Sequence, residues 1–214
     1  MKALPPHGGQ RVEYAGAPLD RAAVAMIMVH GRGAGPEAIL ELVPRLKRSD
    51  LAYVAPAASG GTWYPYSFIS PREKNEPGIS SGLSVIEALM LDLIDRGFTS
   101  DRIGLLGFSQ GACLTCEFAF RHPRRYAGVF GLSGGLIGPP GTSWDNPPGS
   151  LDGTPVFLGC SDVDAHIPAT RVLETEAVFT GMRGTVQRVL YPGMGHLVSD
   201  EEILMVQSML DRRL

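Results

Sequence analysis

The sequence predicts an α/β protein, a mostly parallel central sheet covered by helices on both faces. Short β-rich runs alternate along the chain with longer stretches of helical periodicity, the pattern of strand–helix–strand units. The Ala23 to Val29 run (AVAMIMV) is continuously apolar rather than alternating, which marks a strand buried on both faces. The connections after these runs are short and rich in glycine, as in HGRGAG.

Taken in order, Ala23 to Val29 is the first strand. Pro36 suits a first helical turn, and Ile39, Leu40, Val43 and Leu46 then repeat at helical spacing. Leu51 to Ala55 is the next strand. Ser80 or Ser81 is expected to cap a helix striped by Leu83, Ile86, Leu89, Met90 and Leu93, which ends at Gly97. Arg102 to Leu106 is a third strand, followed by a helix from about Gln110 to Arg121 that stops before Pro123. Further strands are expected near Ala127–Leu132, Thr154–Leu158 and Val186–Leu190, with helices near Pro168–Met182 and Ser199–Arg212. Two Gly- and Pro-rich segments, Ser59 to Ile79 and Gly134 to Gly153, read as long surface loops. Neither is large enough for a separate domain or a large cap, so residues 1–214 are expected to form one domain.

Within this frame, residues 107–111 read GFSQG, a match to G-x-S-x-G. A strand leads in and a helix leads out. A turn that tight strains the serine backbone and lifts Ser109 above the sheet, while small residues at −2 and +2 let neighbouring segments approach. The helix N-terminus beneath supplies positive potential for a developing oxyanion. A neutral serine needs a base, and the base needs an orienting acid. Of the five histidines, His7 is placed in a frayed N-terminus, His122 at a helix end and His30 in the HGRG turn. Only His166 and His196 lie downstream of Ser109, as the order serine, acid, histidine requires. His196, in the YPGMGH turn after the last strand, is the better base, because His166 sits too close in sequence to the acid. Asp162 and Asp164 are both placed to reach an imidazole, and residue physics alone does not separate them. One oxyanion donor is expected from the backbone N–H of Gln110, with no role assigned to its amide. The other should come from the loop His30-Gly31-Arg32-Gly33.

The motifs VHGRGA, GFSQGA, DVDAHIP and YPGMGH, in this order, resemble the phospholipase/carboxylesterase branch of the α/β-hydrolases. That branch includes acyl-protein thioesterases and small bacterial carboxylesterases, with dienelactone hydrolases nearby, and the resemblance runs from about Val24 to the C-terminus. It implies an α/β-hydrolase fold. Anchoring on Ile167-Pro168 it places the acid on Asp164, and it puts the oxyanion donors on the N–H groups of Arg32 and Gln110. Cys160, Ser161, Ala165 and Ala112 depart from the usual residues of the branch, which bears on the subfamily and so on the substrate.

Other features are read as structural. Cys113 and Cys116 match C-x-x-C but fall inside an apolar helix, so they are expected to be buried thiols, as is Cys160. Trp63, Tyr64, Tyr66 and Phe68 cluster in the first long loop, and Met194 precedes His196 by two residues. Of these, Trp63, Tyr64 and Met194 are the expected substrate-pocket residues, with Trp144 a weaker candidate. Arg72, Glu73, Lys74 and Glu76 are read as solvated charges.

Composition bounds the partners. Hydrophobic residues make up 44% and charged residues 19%, enough for a packed interior. The formal net charge of −3, with no basic cluster longer than Arg124-Arg125 or Arg212-Arg213, argues against a nucleic-acid or anionic-membrane surface. Three cysteines, an odd and sparse number, argue against a disulfide framework, no signal peptide is read at the N-terminus, and a cytoplasmic protein is expected. No cofactor and no metal are expected; the expected partner is a small-molecule ester substrate, with no membrane insertion, and the protein is expected to be a monomer or homodimer. The expected activity is a serine carboxylesterase for small to medium esters, with acyl-thioester or lysophospholipid hydrolysis as the alternative and a non-catalytic binding module behind both.

Overall fold

The computed structural model describes residues 3–144 and 147–211. The calls that touch Arg212 and Arg213 therefore lie outside the described residues. The strands are β1 (Val12–Gly16), β2 (Val24–Val29), β3 (Leu51–Pro56), β4 (Ile103–Phe108), β5 (Gly128–Leu132), β6 (Pro155–Ser161) and β7 (Thr185–Tyr191). The helices are α1 (Pro36–Leu40), α2 (Val43–Leu46), α3 (Gly78–Asp95), α4 (Gln110–Arg121), α5 (Ala169–Gly181) and α6 (Asp200–Asp211). Among the described residues one sheet of seven strands forms in the order β1-β3-β2-β4-β5-β6-β7. Every neighbouring pair is parallel except β1 with β3.

The continuous apolar runs bury both faces of the sheet. On β2, Ala25, Ile27 and Val29 join a cluster with Leu83 and Ile86 of α3 and Leu114 and Phe118 of α4. Val24, Met26 and Met28 point the other way, towards Ile39, Leu46 and, on α6, Ile203 and Val206. A period of two along the strand thus feeds two cores, each large side chain contributing about 1.5–3 kcal/mol of transfer free energy.

Several boundaries differ from expectation for local reasons. β1 is missing from the sequence-based reading because its VEYAG pairs at an edge, is only half buried and carries no apolar run. The helix expected from Pro36 is two short helices, since Pro44 opens α2 and cannot donate into a preceding turn. α3 begins at Gly78, so neither Ser80 nor Ser81 caps it. Ser81 Oγ instead donates to Leu4 O (2.7 Å) and accepts from His7 N–H (2.9 Å). That tie corrects the placement of His7 in a frayed terminus: its side chain is 3% exposed. The second long loop is likewise no simple surface loop, because Leu136 and Ile137 are buried in the core. Nor is Arg72 merely solvated, since it donates to Glu117 Oε1 (2.8 Å), a carboxylate 2% exposed that also accepts from the Ile137 N–H.

Helix α6 opens on a reciprocal cap. The Ser199 N–H donates to Glu202 Oε2 (2.9 Å), and the Glu202 N–H donates to Ser199 Oγ (3.1 Å). Glu202 is fully buried, and its Oε1 sits where a side chain at Gly159 would otherwise lie, without a hydrogen-bond partner among the described residues. Burial outweighs the bonds from Ser199 and pushes this carboxyl up to about 7, from 4.5. Because the folded value lies above the unfolded one, the folded state holds the extra proton. Stability from this group is therefore full below about pH 4.5 and lost as pH rises through 7. Glu202→Gln keeps an acceptor for the Ser199 N–H but cannot ionise. It should be more stable than wild type at pH 8 by about 2 kcal/mol, with little difference near pH 4.5. Thermal melts of both proteins across that range check this, and parallel pH–stability curves would refute it.

Candidate active site

Ser109 occupies the turn between β4 and α4 with φ 56° and ψ −121°, a left-handed backbone that a non-glycine residue holds only under strain. The surroundings leave it no alternative. A Cβ at Gly111 would lie 2.1 Å from Val29 O, so α4 starts against the end of β2. The Ser109 N–H donates to Leu132 O at the end of β5 (2.9 Å), and its carbonyl accepts from Cys113 N–H (3.0 Å). The side chain is thereby presented at the C-terminal edge of the sheet.

His196 meets it there. Ser109 Oγ and His196 Nε2 are 2.8 Å apart, and His196 Nδ1 lies 2.7 Å from Asp164 Oδ2. The Asp164 side chain is 0% exposed, and its other oxygen accepts the N–H groups of His166 (2.8 Å) and Ile167 (3.0 Å). Burial by itself would raise this carboxyl, but the hydrogen bonds from His196, His166 and Ile167 together hold it below its ordinary value. An ionised carboxylate only accepts, so Nδ1 carries the imidazole proton and the Nε2 lone pair faces the Ser109 hydroxyl. In this alignment the hydroxyl proton can pass to the imidazole as the oxygen attacks an electrophilic carbon.

Asp162, the other acid candidate, does different work. Its Oδ1 accepts from the Gly193 N–H (2.8 Å), and Ser161 Oγ accepts from the Gly195 N–H (3.0 Å). Gly193 and Gly195 have φ of 63° and 79°, so the end of β6 grips a turn that only glycines make easily, and the turn carries His196. The Phe108 ring lies tilted against the imidazole, with ring centroids 5.0 Å apart.

The HGRG loop runs alongside. A Cβ on Gly31 would lie 3.4 Å from Ser109 Cβ. His30 is buried; its Nδ1 donates to Gly31 O (2.7 Å), and its Nε2 accepts from the Ala58 N–H (3.1 Å). Burial lowers its basicity, so it stays neutral and serves as a brace for the loop. The backbone N–H groups of Arg32 and Gln110 have no backbone acceptor among the described residues, and Gln110 opens α4, where the first N–H groups have no intrahelical partner.

Two cavities flank Ser109 and His196. The larger, about 450 Å³, is walled by Tyr64, Pro65, Tyr66, Phe68 and Ile167, with Arg32 and His166 among its polar lining. The smaller, about 320 Å³, is lined by Ala38, Ile39, Leu42, Phe108 and Val198. Of the expected pocket residues Tyr64 lines the larger cavity, and two do not line either. Trp63 is 0% exposed beneath the loop, its indole N–H donating to His30 O (3.0 Å), with His7 and His30 rings each 5.1 Å from its own. Met194 packs against the core on the α6 side of the sheet. Trp144 also lies away from Ser109, under the Arg171 guanidinium (4.9 Å). His166 and Ile167 were not expected in the wall; their place beside Asp164 in the sequence is the signal that could have found them. Cys113 borders the larger cavity but is fully buried, and desolvation pushes its thiol up to about 12, which keeps it protonated.

No helix among the described residues is long and apolar enough to cross a membrane. A phospholipase/carboxylesterase family model matches residues 12–214. The chain is 36% identical to a phospholipase/carboxylesterase from Dyadobacter fermentans, whose crystal structure superposes with a TM-score of 0.92 over 97% of this chain and 99% of that one. It is 28% identical over 153 residues to acyl-protein thioesterase 1 of Eremothecium gossypii, covering 68% of this chain and 63% of that protein's length. Against the Kluyveromyces lactis acyl-protein thioesterase 1 it is 31% identical over 154 residues, 68% of each chain. The match thus spans somewhat under two thirds of the Eremothecium relative. With an α/β-hydrolase fold and a family model that covers nearly its whole length, the chain belongs to the phospholipase/carboxylesterase family.

Proposed function

We propose that this protein is a serine hydrolase that cleaves small to medium carboxylic esters through an acyl-enzyme on Ser109. The observation that carries the reading is the unbroken relay Ser109–His196–Asp164, with spacings of 2.8 and 2.7 Å, set on a strained turn where two cavities meet. His196 takes the Ser109 proton as Oγ attacks the ester carbonyl. The oxyanion forms against the N–H groups of Arg32 and Gln110, at the positive end of α4. Asp164 holds the imidazole in the Nδ1-protonated form and stabilises the imidazolium. His196 then protonates the leaving alcohol, and a water deprotonated by His196 releases the acid. The two cavities supply room for the two arms of the ester on either side of Ser109.

A second reading, acyl-thioester hydrolysis with the same residues, is favoured by the relatives named acyl-protein thioesterase 1. The machinery does not discriminate between the two, because a thiolate leaves more readily than an alkoxide from the same tetrahedral intermediate. Action on a small diffusible ester rather than on a polyanion accords with the net charge of −3.

On an ester substrate, Ser109→Ala should lower kcat by at least about 10³-fold and abolish labelling by a fluorophosphonate probe. Asp164→Asn should lower kcat by up to about 10⁴-fold, while Asp162→Asn leaves the relay in place and costs far less. Equal losses at both aspartates would contradict the assignment. In a p-nitrophenyl series from acetate to palmitate, kcat/KM should peak among short and medium acyl chains, because the site is open and bounded by loops rather than by a cap. A preference for palmitate would overturn the substrate class.

A further inference from the structure

The two residues whose N–H groups would receive the oxyanion have side chains that turn away from it and grip one stretch of chain. Gln110, 5% exposed, accepts the Trp63 N–H on Oε1 (2.8 Å) and donates from Nε2 to Tyr64 O (2.8 Å). A donor on one side and an acceptor on the other leave only one orientation for its amide. Arg32 donates from its two terminal nitrogens to the next two carbonyls, Pro65 O (2.7 Å) and Tyr66 O (2.6 Å). Four consecutive residues, Trp63 to Tyr66, are thus held by one bond each. The same stretch is tied to the HGRG loop by Trp63 Nε1 donating to His30 O (3.0 Å), and Gly61, two residues before it, accepts the Gly33 N–H (2.7 Å).

The His30 brace secures the start of the HGRG loop, whereas Arg32 itself lies at its exposed turn. Arg32 is exposed, and Gly33 beside it has φ of 73° and open space where a side chain would stand. Gln110 by contrast stands at the start of a helix that is almost wholly buried. The segment 63–66 therefore bridges a well-anchored donor and a weakly anchored one. We propose that the side chains of Arg32 and Gln110 are positioning residues that set the spacing of the two oxyanion donors by clamping both to the backbone of Trp63–Tyr66. This rests on the reading of Ser109 as nucleophile. It gives the Gln110 amide a role distinct from that of its N–H, and it gives one to the Arg32 guanidinium, which has no ion-pair partner among the described residues.

A group that aligns donors for the transition state acts on kcat rather than on ground-state binding. Arg32→Met keeps the backbone N–H and the length of the side chain but loses both bonds; Arg32 is at the surface, so folding should survive. With p-nitrophenyl butyrate, kcat should fall about 10- to 100-fold with KM changed less than about threefold. The rate of fluorophosphonate inactivation should fall in parallel, because phosphonylation develops charge on the same donors. Arg32→Lys, whose single ammonium can serve one of the two carbonyls, should fall between. Gln110→Met should show the same split, and its combination with Arg32→Met should cost less than the product of the two, since both release one segment. The proposal is overturned if Arg32→Met has wild-type kcat, if its loss lies in KM alone, or if the loss only tracks a fall in the folded fraction seen in thermal melts. Failure of the underlying reading looks different: Ser109→Ala would then retain activity whatever the Arg32 variants do.

Discussion

Ser109 holds a left-handed backbone, φ 56° and ψ −121°, that costs a non-glycine residue about 1–3 kcal/mol. It persists because both neighbours are immovable. β4 lies in the centre of the sheet between β2 and β5 with five of its six residues buried, and α4 buries Gln110 through Ala119. The absence of a side chain at Gly111 lets α4 start in contact with Val29 and His30 carbonyls. Relaxing the serine would mean withdrawing a core strand or a core helix, each worth many times the strain. The exposed hydroxyl, the free N–H at the start of α4 and the direction of the helix dipole all follow from this one constraint.

The remaining groups reach Ser109 from loops at the same edge of the sheet. A parallel sheet ends all its strands on one side, so the ends of β2, β4, β6 and β7 deliver the HGRG loop, the serine, the acid and the histidine to one place. Each loop is braced separately. Asp162 and Ser161 hold the histidine turn, neutral His30 and His7 hold the segment around Trp63, and Glu117 joins Arg72 of the first long loop to Ile137 of the second. Burial lowers the basicity of His7 as well, which keeps a positive charge out of the base of the site. The two histidine braces are neutral and Glu117 is paired with Arg72 and Arg121, while the Asp164–His196 pair and the helix end lie nearest the Ser109 hydroxyl.

The mostly parallel sheet was legible in the sequence because its central strands are buried on both faces and read as unbroken apolar runs; the order of the strands was not read from it. β1 was not, since an edge strand with alternating polar residues looks like loop. GFSQG between such a run and an apolar helix pointed to Ser109 as the candidate nucleophile, and the chain order pointed to His196, whose Nε2 lies 2.8 Å from Ser109 Oγ. The choice of Asp164 over Asp162 depended on a family resemblance; the distances agree with it, but nothing in the residue types does. Trp63 and His7 were misplaced for a common reason. Composition shows that an aromatic or a histidine lies in a Gly/Pro-rich or terminal segment, while its burial is decided by contacts with distant residues such as His30 and Ser81. The amide of Gln110 was overlooked in the same way, as its partners lie 46 and 47 residues upstream.

The central claim, covalent catalysis at Ser109, is tested most directly by rapid acid quench of wild-type protein turning over p-nitrophenyl butyrate, followed by peptide mass analysis. The account predicts a butyryl adduct on the peptide containing Ser109, formed with a burst of p-nitrophenolate and absent from Ser109→Ala. Turnover with the adduct on another residue, or at an undiminished rate in Ser109→Ala, would contradict it.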